Sequence, residues 1–204
     1  VSLAMESTGR HHQLLATLAG AAGLRVFVLN ARDVYFYAKA LGARAKTDRV
    51  DAHVIARYLA EQHKHLHPWQ APSAVLAQVQ CLLGQRWTAV TKRAALHQSL
   101  QGCDAVIASQ VQALDLAFNA LLKAIDARIA TLFEDDAHLG AQRALLQSIV
   151  GVGPQSSALL ASVLEQVSFG SGDALVAYSG LDPRACDSGK SRGRRRLSKR
   201  GQPA

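Results

Sequence analysis

Two short apolar runs separated by one helical segment open the chain, and this pattern constrains the fold more than any other feature. Residues 1–5 and 24–30 are typical of buried strands, and residues 11–22 are predicted to be helical. Three leucines fall on one face of that helix: Leu14, Leu15 and Leu18. Strands joined through a helix lie parallel in one sheet. Two parallel strands are too few for a stable sheet, so further strands are expected upstream or from elsewhere.

A second helical region follows and carries two acidic residues in its first turn. Residues 31–41 and 48–61 are predicted helices, and Thr47 has the residue type and position of an N-cap for the latter. Asp48 and Asp51 are three residues apart, so they lie on the same helical face. Both carboxylates can therefore contribute to one site.

Two long helices are predicted after an irregular segment. Residues 63–72 contain two prolines and mark a boundary, and residues 73–103 and 107–135 then have helical patterns. In the second helix the apolar residues alternate at spacings of three and four: Val111, Leu114, Phe118, Leu121, Ile125, Ile129 and Leu132. This seam is typical of a coiled coil or helical hairpin. It fits the inner face of a monomeric bundle equally well.

Two glycines interrupt the helical pattern near residue 150. Gly151 and Gly153 separate an apolar segment, residues 145–150, from a predicted helix over residues 155–164. Such a turn is typical of a helix-hairpin-helix, whose backbone amides and following helix N-terminus can bind a phosphate. An ordinary αα-hairpin with glycine at its turn is the alternative. The predicted domains are residues 1–70, 71–140 and 141–204.

The positive charge is concentrated at the end of the chain. The formal net charge is +8, and residues 182–204 hold eight cations against two anions. A concentrated patch of this kind attracts phosphate backbones through counterion release and electrostatic steering. A solvated basic tail is the alternative interpretation.

Composition excludes several classes of protein. With 49% hydrophobic residues the chain is predicted to be globular rather than disordered. Its cysteines are odd in number and lack C-x-x-C spacing, which argues against a disulfide framework and a structural zinc site: Cys81, Cys103 and Cys186. No uninterrupted apolar run approaches the roughly 18 residues of a membrane span, and no signal peptide is evident. We expect a cytoplasmic protein without a membrane partner.

Three carboxylates are candidate metal ligands. Glu6 follows a predicted parallel strand, at the sheet edge where ligand crevices form in open α/β sheets. With Asp48 and Asp51 it could bind Mg²⁺, which prefers carboxylate oxygens, as part of a site for phosphoryl transfer. The alternative is that the two aspartates only stabilise the helix dipole and Glu6 caps a turn.

Ser188 is a candidate nucleophile, because it lies among cations and glycines in residues 184–193. Nearby positive charge favours deprotonation of a serine and stabilises a phosphorane-like transition state. Most serines in such loops only shape turns or donate to phosphates. The histidines of residues 63–67 are interpreted as part of a solvated linker rather than a zinc site, and Trp69 and Trp87 as packing anchors.

Several motifs, in order along nearly the whole chain, resemble one family. The N-terminal motifs are Ala4–Gly9 and Leu41–Ala52; the C-terminal motifs are Ile149–Pro154, Ala177–Arg184, Ser188–Gly193 and Ser198–Gly201. Together they resemble the DEDD-type insertion-sequence transposases that are related to the Piv DNA invertases and use a bridge RNA.

The resemblance implies an α/β plus α fold: a partial RNase H/RuvC-like domain, a helical coiled-coil insertion and an α-rich C-terminal transposase domain. It implies Mg²⁺ on Glu6, Asp48 and Asp51, and Ser188 as covalent nucleophile on DNA. It also implies a guide RNA, homo-oligomers formed through the helical region, and a bacterial cytoplasmic, nucleoid-associated protein. The predicted nucleic-acid contacts are Lys46, Arg49, Gly151, Gly153, Arg184, Lys190, Arg192, Arg194, Arg195, Arg196, Lys199 and Arg200.

The sequence departs from the family pattern at both ends. The first Asp of the DEDD set and the last helices of the family have no counterpart here, so the sequence is interpreted as a fragment that binds nucleic acid but recombines nothing. Two alternatives remain open. One is a RuvC-like nuclease that resolves DNA junctions with carboxylates alone, and the other is a non-catalytic nucleic-acid-binding remnant.

Overall fold

The computed structural model describes residues 1–7, 11–43, 47–189, 191–198 and 201. The chain forms two compact units, Val1–Ala71 and Pro72–Ala204. The predicted boundary at residue 70 lies beside this division. The core of the second unit, however, uses helices from both sides of residue 140. The predicted division into three domains therefore stays a prediction.

The first unit is built on the βαβ arrangement that the sequence predicts. Strands β1 (Ser2–Glu6) and β2 (Arg25–Leu29) are parallel, and helix α1 (His11–Ala21) connects them. Two further helices, α2 (Ala31–Ala40) and α3 (Asp48–Gln62), pack on each other, and α3 also packs on β1. All five elements confirm the sequence predictions.

Small apolar clusters lie on the two faces of this sheet. One contains Phe27, Leu29, Val34 and Val54 from β2, α2 and α3. The other contains Ala16, Ala19 and Val26. Trp69 packs against this second cluster and donates its backbone N–H to the carbonyl of Val26 at 2.7 Å, which confirms its predicted role as an anchor.

The leucine face of α1 does not pack against the sheet. Leu14, Leu15 and Leu18 are 70%, 54% and 58% exposed, whereas Ala16 and Ala19 are buried. Alanine has no side chain beyond Cβ, so this face allows the helix to lie close to the two strands. Leucines at helical spacing thus indicated the helix correctly but not the face that it buries.

Among its described residues, the second unit is helical apart from one short hairpin. Its elements are α4 (Ala74–Ser99), α5 (Ala105–Glu134), α6 (Ala137–Gln147), α7 (Pro154–Gln166), α8 (Gly172–Ser179), β3 (Pro183–Arg184) and β4 (Arg196–Leu197). The core cluster consists of Val79, Ile125, Ile129, Leu132, Phe133, Leu139, Ala158 and Ala161. Helices α4 to α7 thus share one core, and the antiparallel β3–β4 pair follows them in the chain.

Helices α4 and α5 form a hairpin held by ion pairs. The carboxylate of Asp115 accepts from the guanidinium of Arg93 at 2.6 Å, and Asp126 accepts from Arg86 at 2.7 Å. The predicted seam of α5 is buried only in its second half: Ile125 is 7% exposed, whereas Leu114 is 47% exposed. The seam therefore packs into the core near the base of the hairpin, and its outer part is more exposed to solvent.

Two features of the hairpin bear on other predictions. Trp87 on α4 is 70% exposed, so its predicted role as a packing anchor is wrong; the core of this unit is filled by aliphatic side chains and Phe133. By length and composition α5 is apolar enough to cross a membrane, a criterion that core helices of soluble proteins also meet. The expected lack of a membrane partner therefore stays a prediction.

Candidate functional site

Glu6 lies at the carboxyl end of β1, as the sequence predicts. It pairs in register with Leu29 at the end of β2 and is half-buried. Together with Ala52 and Ile55 of α3 it lines a cleft of about 670 Å³ along the edge of β1 that β2 does not cover. The cleft brings the carboxyl edge of the sheet next to the N-terminal half of α3.

The other two acids occupy the first turn of α3. The hydroxyl of Thr47 accepts from the backbone N–H of Val50 at 3.3 Å, which confirms the predicted N-cap. Asp48 is exposed and Asp51 is half-buried. Asp51 precedes Ala52, which lines the same cleft as Glu6. Asp51 itself is not among the residues that line the cleft, although it lies four residues before Ile55, which does.

The carboxylate chemistry suits Mg²⁺, but the geometry is incomplete. Across residues 1–7, 11–43, 47–189, 191–198 and 201, no group of three His, Cys, Asp or Glu side chains is placed to hold a metal ion. The three-acid site therefore stays a prediction. Each aspartate also has the alternative role of stabilising the N-terminus of α3.

Ser188 lies at the tip of the hairpin that follows β3. Its backbone N–H donates to the carbonyl of Ser191 at 3.0 Å, and the N–H of Ser191 donates back to Ser188 at 3.0 Å. Gly189 has φ +55°, a left-handed conformation that glycine adopts without strain. Ser188 is exposed, so this tight turn presents its hydroxyl to solvent.

Asp187 holds the two sides of this tip together. Its carboxylate accepts from the backbone N–H of Gly193 at 3.1 Å and from the guanidinium of Arg195 at 2.7 Å. The backbone at Gly193 also passes so close to the carbonyl of Cys186 that any Cβ would overlap with it. The segment is therefore a defined hairpin rather than a loose basic tail.

A second acid fixes the base of the hairpin. The hydroxyl of Ser198 donates to Asp182, and the guanidinium of Arg184 lies 3.5 Å from the same carboxylate. The Ser198 hydrogen bond, with a smaller contribution from Arg184, holds the pKa of Asp182 below its usual value. Asp182 therefore stays ionised and organises the entry and exit of the hairpin.

The predicted cationic contacts are distributed around this hairpin. Arg192, Arg194 and Arg196 are exposed, whereas Arg184 and Arg195 form the ion pairs described above. Arg49 is exposed on the first turn of α3. Four predicted contacts lie outside the described residues: Lys46, Lys190, Lys199 and Arg200.

The glycine turn connects α6 and α7, as predicted. Gly151 has φ +92°, and Gly153 is the N-cap of α7, to which it contributes no side-chain hydrogen bond. Val150, at the turn, is fully exposed. The first-turn amides of α7 are therefore not capped by the side chain at its N-cap position, which leaves room for the predicted phosphate contact.

The sequence patterns did not predict that Asp182 and Asp187 hold the hairpin together. In the sequence they appear only as two anions within a basic segment. One available signal was their placement, since Asp182 adjoins β3 and Asp187 precedes Ser188. Acids that precede a glycine-rich basic segment can pair with its arginines across a hairpin.

Two family models match the chain. One covers the part that contains Glu6, Asp48 and Asp51, and the other covers the part that contains Ser188. A model of IS110-type DEDD transposases, described as "Transposase", matches residues 1–103. A model described as "Transposase IS116/IS110/IS902 family" matches residues 143–204. The chain belongs to the IS110 transposase family. Members of this family are DNA-modifying enzymes.

Curated relatives of this IS110-family chain act on DNA according to their names. The "Pilin gene-inverting protein" of Moraxella bovis is 30% identical over 190 residues, which is 93% of this chain and 58% of the relative. The protein of the same name from Moraxella lacunata matches with the same identity and coverage. The chain thus spans a little more than half the length of the curated relatives it matches.

Proposed function

We propose that this IS110-family chain acts in DNA transposition, with its N-terminal acids and Ser188 carrying the chemistry of cleavage and strand transfer. One observation carries the proposal. The two transposase models match separate parts of the chain: the N-terminal match contains Glu6, Asp48 and Asp51, and the C-terminal match contains Ser188. A nuclease that used carboxylates alone would not need the second part.

The position of β1 and α3 supports the proposed acid site, in a unit that we propose to be RuvC-like. Glu6 lies at the carboxyl edge of a parallel sheet, and Asp51 is four residues before Ile55 of α3, which lines the same cleft as Glu6. When bound there, Mg²⁺ would be held by carboxylate oxygens of Glu6, Asp48 and Asp51 and would activate an oxygen at phosphorus. Three carboxylates make only part of a two-metal site, so we expect the 204-residue chain to bind DNA without recombining it.

The geometry of the hairpin tip supports the proposed chemistry of Ser188. The Oγ of Ser188 would attack the scissile phosphorus, forming an Oγ–P bond while the P–O3′ bond breaks. The serine proton is transferred to the departing 3′ oxygen, directly or through water. The 3′ hydroxyl of a partner strand then attacks the same phosphorus and releases the serine. Exposed Arg192 and Arg194 near the tip are available to stabilise the extra negative charge of the transition state.

The finer parts of the proposal concern partners. A guide RNA and the DNA duplex would both be attracted by the net charge of +8. The outer part of the α4–α5 hairpin has half-exposed apolar side chains, which supports self-association through this region. A DNA-acting protein of this family would then be found in the cytoplasm, at the nucleoid of a bacterium.

A pair of serine variants tests the proposed chemistry. The 204 residues replace the aligned region of the Moraxella bovis pilin gene-inverting protein, and the chimera is incubated with labelled target DNA and Mg²⁺. We expect a protein–DNA adduct that survives denaturing electrophoresis. Ser188→Ala should abolish the adduct. Ser191→Ala, the matched control across the same turn, should retain it because its backbone pairing does not need the hydroxyl.

The outcomes separate the proposal from its alternatives. A junction-resolving nuclease would continue to cut DNA after Ser188→Ala. A binding remnant would show affinity that falls steeply with salt, ignores Mg²⁺ and leads to no cleavage in any variant. Strand transfer by the 204-residue chain itself would contradict the expectation that its acid set is incomplete.

A further inference from the structure

One face of α2 carries two neighbouring aromatic rings between two cations, and the core does not use it. Arg32, Tyr35, Phe36 and Lys39 have helical spacings of three, one and three, so they share one side of the helix. Tyr35 is 53% exposed and Phe36 is 48% exposed. We call these four residues the aromatic–cation face.

The four side chains contact one another in a defined way. The rings of Tyr35 and Phe36 meet edge to face with centroids 5.5 Å apart. The guanidinium of Arg32 lies 5.7 Å from the centre of the Phe36 ring, and the ammonium of Lys39 lies 4.8 Å from the centre of the Tyr35 ring. Cation–π contacts of this length hold the charges beside the rings.

The opposite face of α2 accounts for its packing. Val34 is buried in the apolar cluster shared with β2 and α3, and Tyr37 packs against the same cluster. Asp33, the acid of this helix, lies on the α3 side: burial raises the pKa of Tyr58 on α3, and the charge of Asp33 raises it further. Core formation thus needs neither Tyr35 nor Phe36, and the exposed face carries cations.

The position of α2 relates this face to the candidate acid site. The helix begins at Ala31, just after β2, whose last residue Leu29 is paired with Glu6. Arg32 therefore lies in the first turn, at the edge of the sheet that carries Glu6. The rest of the face continues along α2 away from that edge.

We propose that the aromatic–cation face binds unpaired nucleotides, with bases stacked on Tyr35 and Phe36 and phosphates beside Arg32 and Lys39. Exposed aromatic rings accept any base, because every base has a π-face, and adjacent cations attract the backbone. A purely apolar partner would not require the two cations. The inference extends the proposed action on nucleic acid to a specific surface, and it holds whether or not Ser188 forms a covalent bond.

Binding of short single strands tests this surface on the whole 204-residue chain. The probes are fluorescein-labelled oligothymidylate and oligouridylate of about 12 nucleotides, a length within the range that single-strand-binding domains cover. An abasic deoxyribose strand of equal length has the same phosphate charge but no bases. Tyr35→Ala/Phe36→Ala is compared with the wild type by fluorescence anisotropy. Trp87→Ala, which removes a 70% exposed ring from α4, is the matched control.

We expect the double variant to bind at least one base-bearing probe about fivefold or more weakly, the effect of losing one stacked base. Its affinity for the abasic strand should be unchanged, and Trp87→Ala should alter neither. A 4-thiouridine in the preferred strand should cross-link to the peptide that contains residues 31–40. Preference for oligouridylate or oligothymidylate would identify the source of the strand as RNA or DNA.

Several results would overturn the proposal. These are equal losses on the abasic and base-bearing probes, no loss on any probe, or cross-links confined to other peptides. So would a double variant that turns a self-associated chain into a monomer while its affinity for the probes is unchanged. Circular dichroism checks that the variant is folded. Loss of the Ser188 adduct in the chimera would leave this measurement unaffected, so failure of the chemistry and failure of the surface are distinguishable.

Discussion

A single carboxylate can order a segment that would otherwise repel itself. Between Pro183 and Leu197 most charges are positive, and arginines in such a loop favour extended, solvated conformations. Asp187 changes this balance because it accepts both a backbone N–H and a guanidinium across the hairpin. Hydrogen bonds to a charged group are stronger than neutral ones. At the residue scale, the shape of the tip therefore depends on an anion within a cationic surface.

Asp187→Asn separates shape from charge, because its two expected effects have opposite signs. Removing an anion from a basic patch should raise the affinity for duplex DNA slightly, since the net positive charge increases. The tip should be held less firmly, so adduct formation through Ser188 in the chimera should fall roughly 10–100-fold, the cost of misplacing a reacting group. Filter binding and the adduct assay measure the two effects. Parallel losses in both would show that Asp187 acts only by contacting DNA or by folding.

Gly140 in α6 is a second residue whose small size is required. A Cβ at this position would lie 2.7 Å from the backbone carbonyl oxygen of Phe133, too close for any side chain. Gly140→Ala should therefore destabilise the chain by about 1–2 kcal/mol, because overpacking strain exceeds the helix propensity gained. Gly20→Ala in α1, where nothing lies within 4 Å, should instead stabilise it by up to about 1 kcal/mol. Urea unfolding, followed by circular dichroism, measures the change in the free energy of unfolding for each variant.

At the element scale, the hairpin of α4 and α5 depends on charge as well as on its apolar seam. Asp115 accepts from Arg93 at 2.6 Å and contacts His97 at 2.7 Å near the outer end of the hairpin. Here Leu114 and Leu116 are 47% and 67% exposed, so apolar burial contributes less than it does near the base. The polar contacts of Asp115 with Arg93 and His97 therefore contribute more to the stability of the outer turns.

Acidification should weaken this part of the hairpin. The hydrogen bond from Arg93, and then that from His97, lower the pKa of Asp115 below the ordinary value of 3.8. A depressed pKa means that the stabilisation is present above the unfolded value and is lost as the pH falls through the folded value. Asp115→Asn should therefore lower the protection of outer hairpin amides at pH 7, and the difference from the wild type should shrink as the pH falls below 3.8 and through the lowered pKa of Asp115. Hydrogen exchange at several pH values measures this.

Whether the sequence predicts an element depends on the kind of contacts that stabilise it. The βαβ unit and the long helices have repeated apolar positions, so their patterns predict them. Strands β3 and β4 contain two residues each, and their pairing depends on Asp182, Ser198 and the turn at Gly189. Contacts of this kind, between residues far apart in the chain, leave no periodic signal. The buried face of α1 was mispredicted because tertiary packing selected alanines over leucines.

The candidate site shows the same limit. Helical spacing predicts that Asp48 and Asp51 share a face, and residue type predicts that Thr47 caps their helix. Neither predicts how far this turn lies from Glu6, because that distance depends on how α3 packs on β1. Likewise, the sequence places Ser188 in a basic segment but cannot show that Asp187 closes the turn around it. Local chemistry is readable from sequence, whereas convergence of distant groups is not.

At the scale of the whole molecule, the distribution of charge is the property most relevant to its partners. The chain has a net charge of +8, with eight of its 23 lysines and arginines in residues 182–204. Other cations, such as Lys92, Lys123 and Arg128, are exposed on the long helices of the same unit. If the hairpin is a nucleic-acid surface, its arginines should contribute more to DNA affinity than the cations of the long helices. If it is a solvated basic segment, the two sets should contribute equally. Removing the same number of charges from each set distinguishes the two interpretations.

Triple substitutions at each set provide that comparison. Affinity for duplex DNA should fall as salt rises, because each phosphate contact releases counterions and adds about 0.9 to the slope of log K against log salt. Replacing Arg192, Arg194 and Arg196 with Gln should reduce that slope by up to about 0.9 per arginine that contacts a phosphate. The same substitution of Lys92, Lys123 and Arg128 removes equal charge and should change the slope much less. If the two variants lose equal slope, then only the net charge matters, and the hairpin is a solvated basic segment rather than the DNA-binding surface.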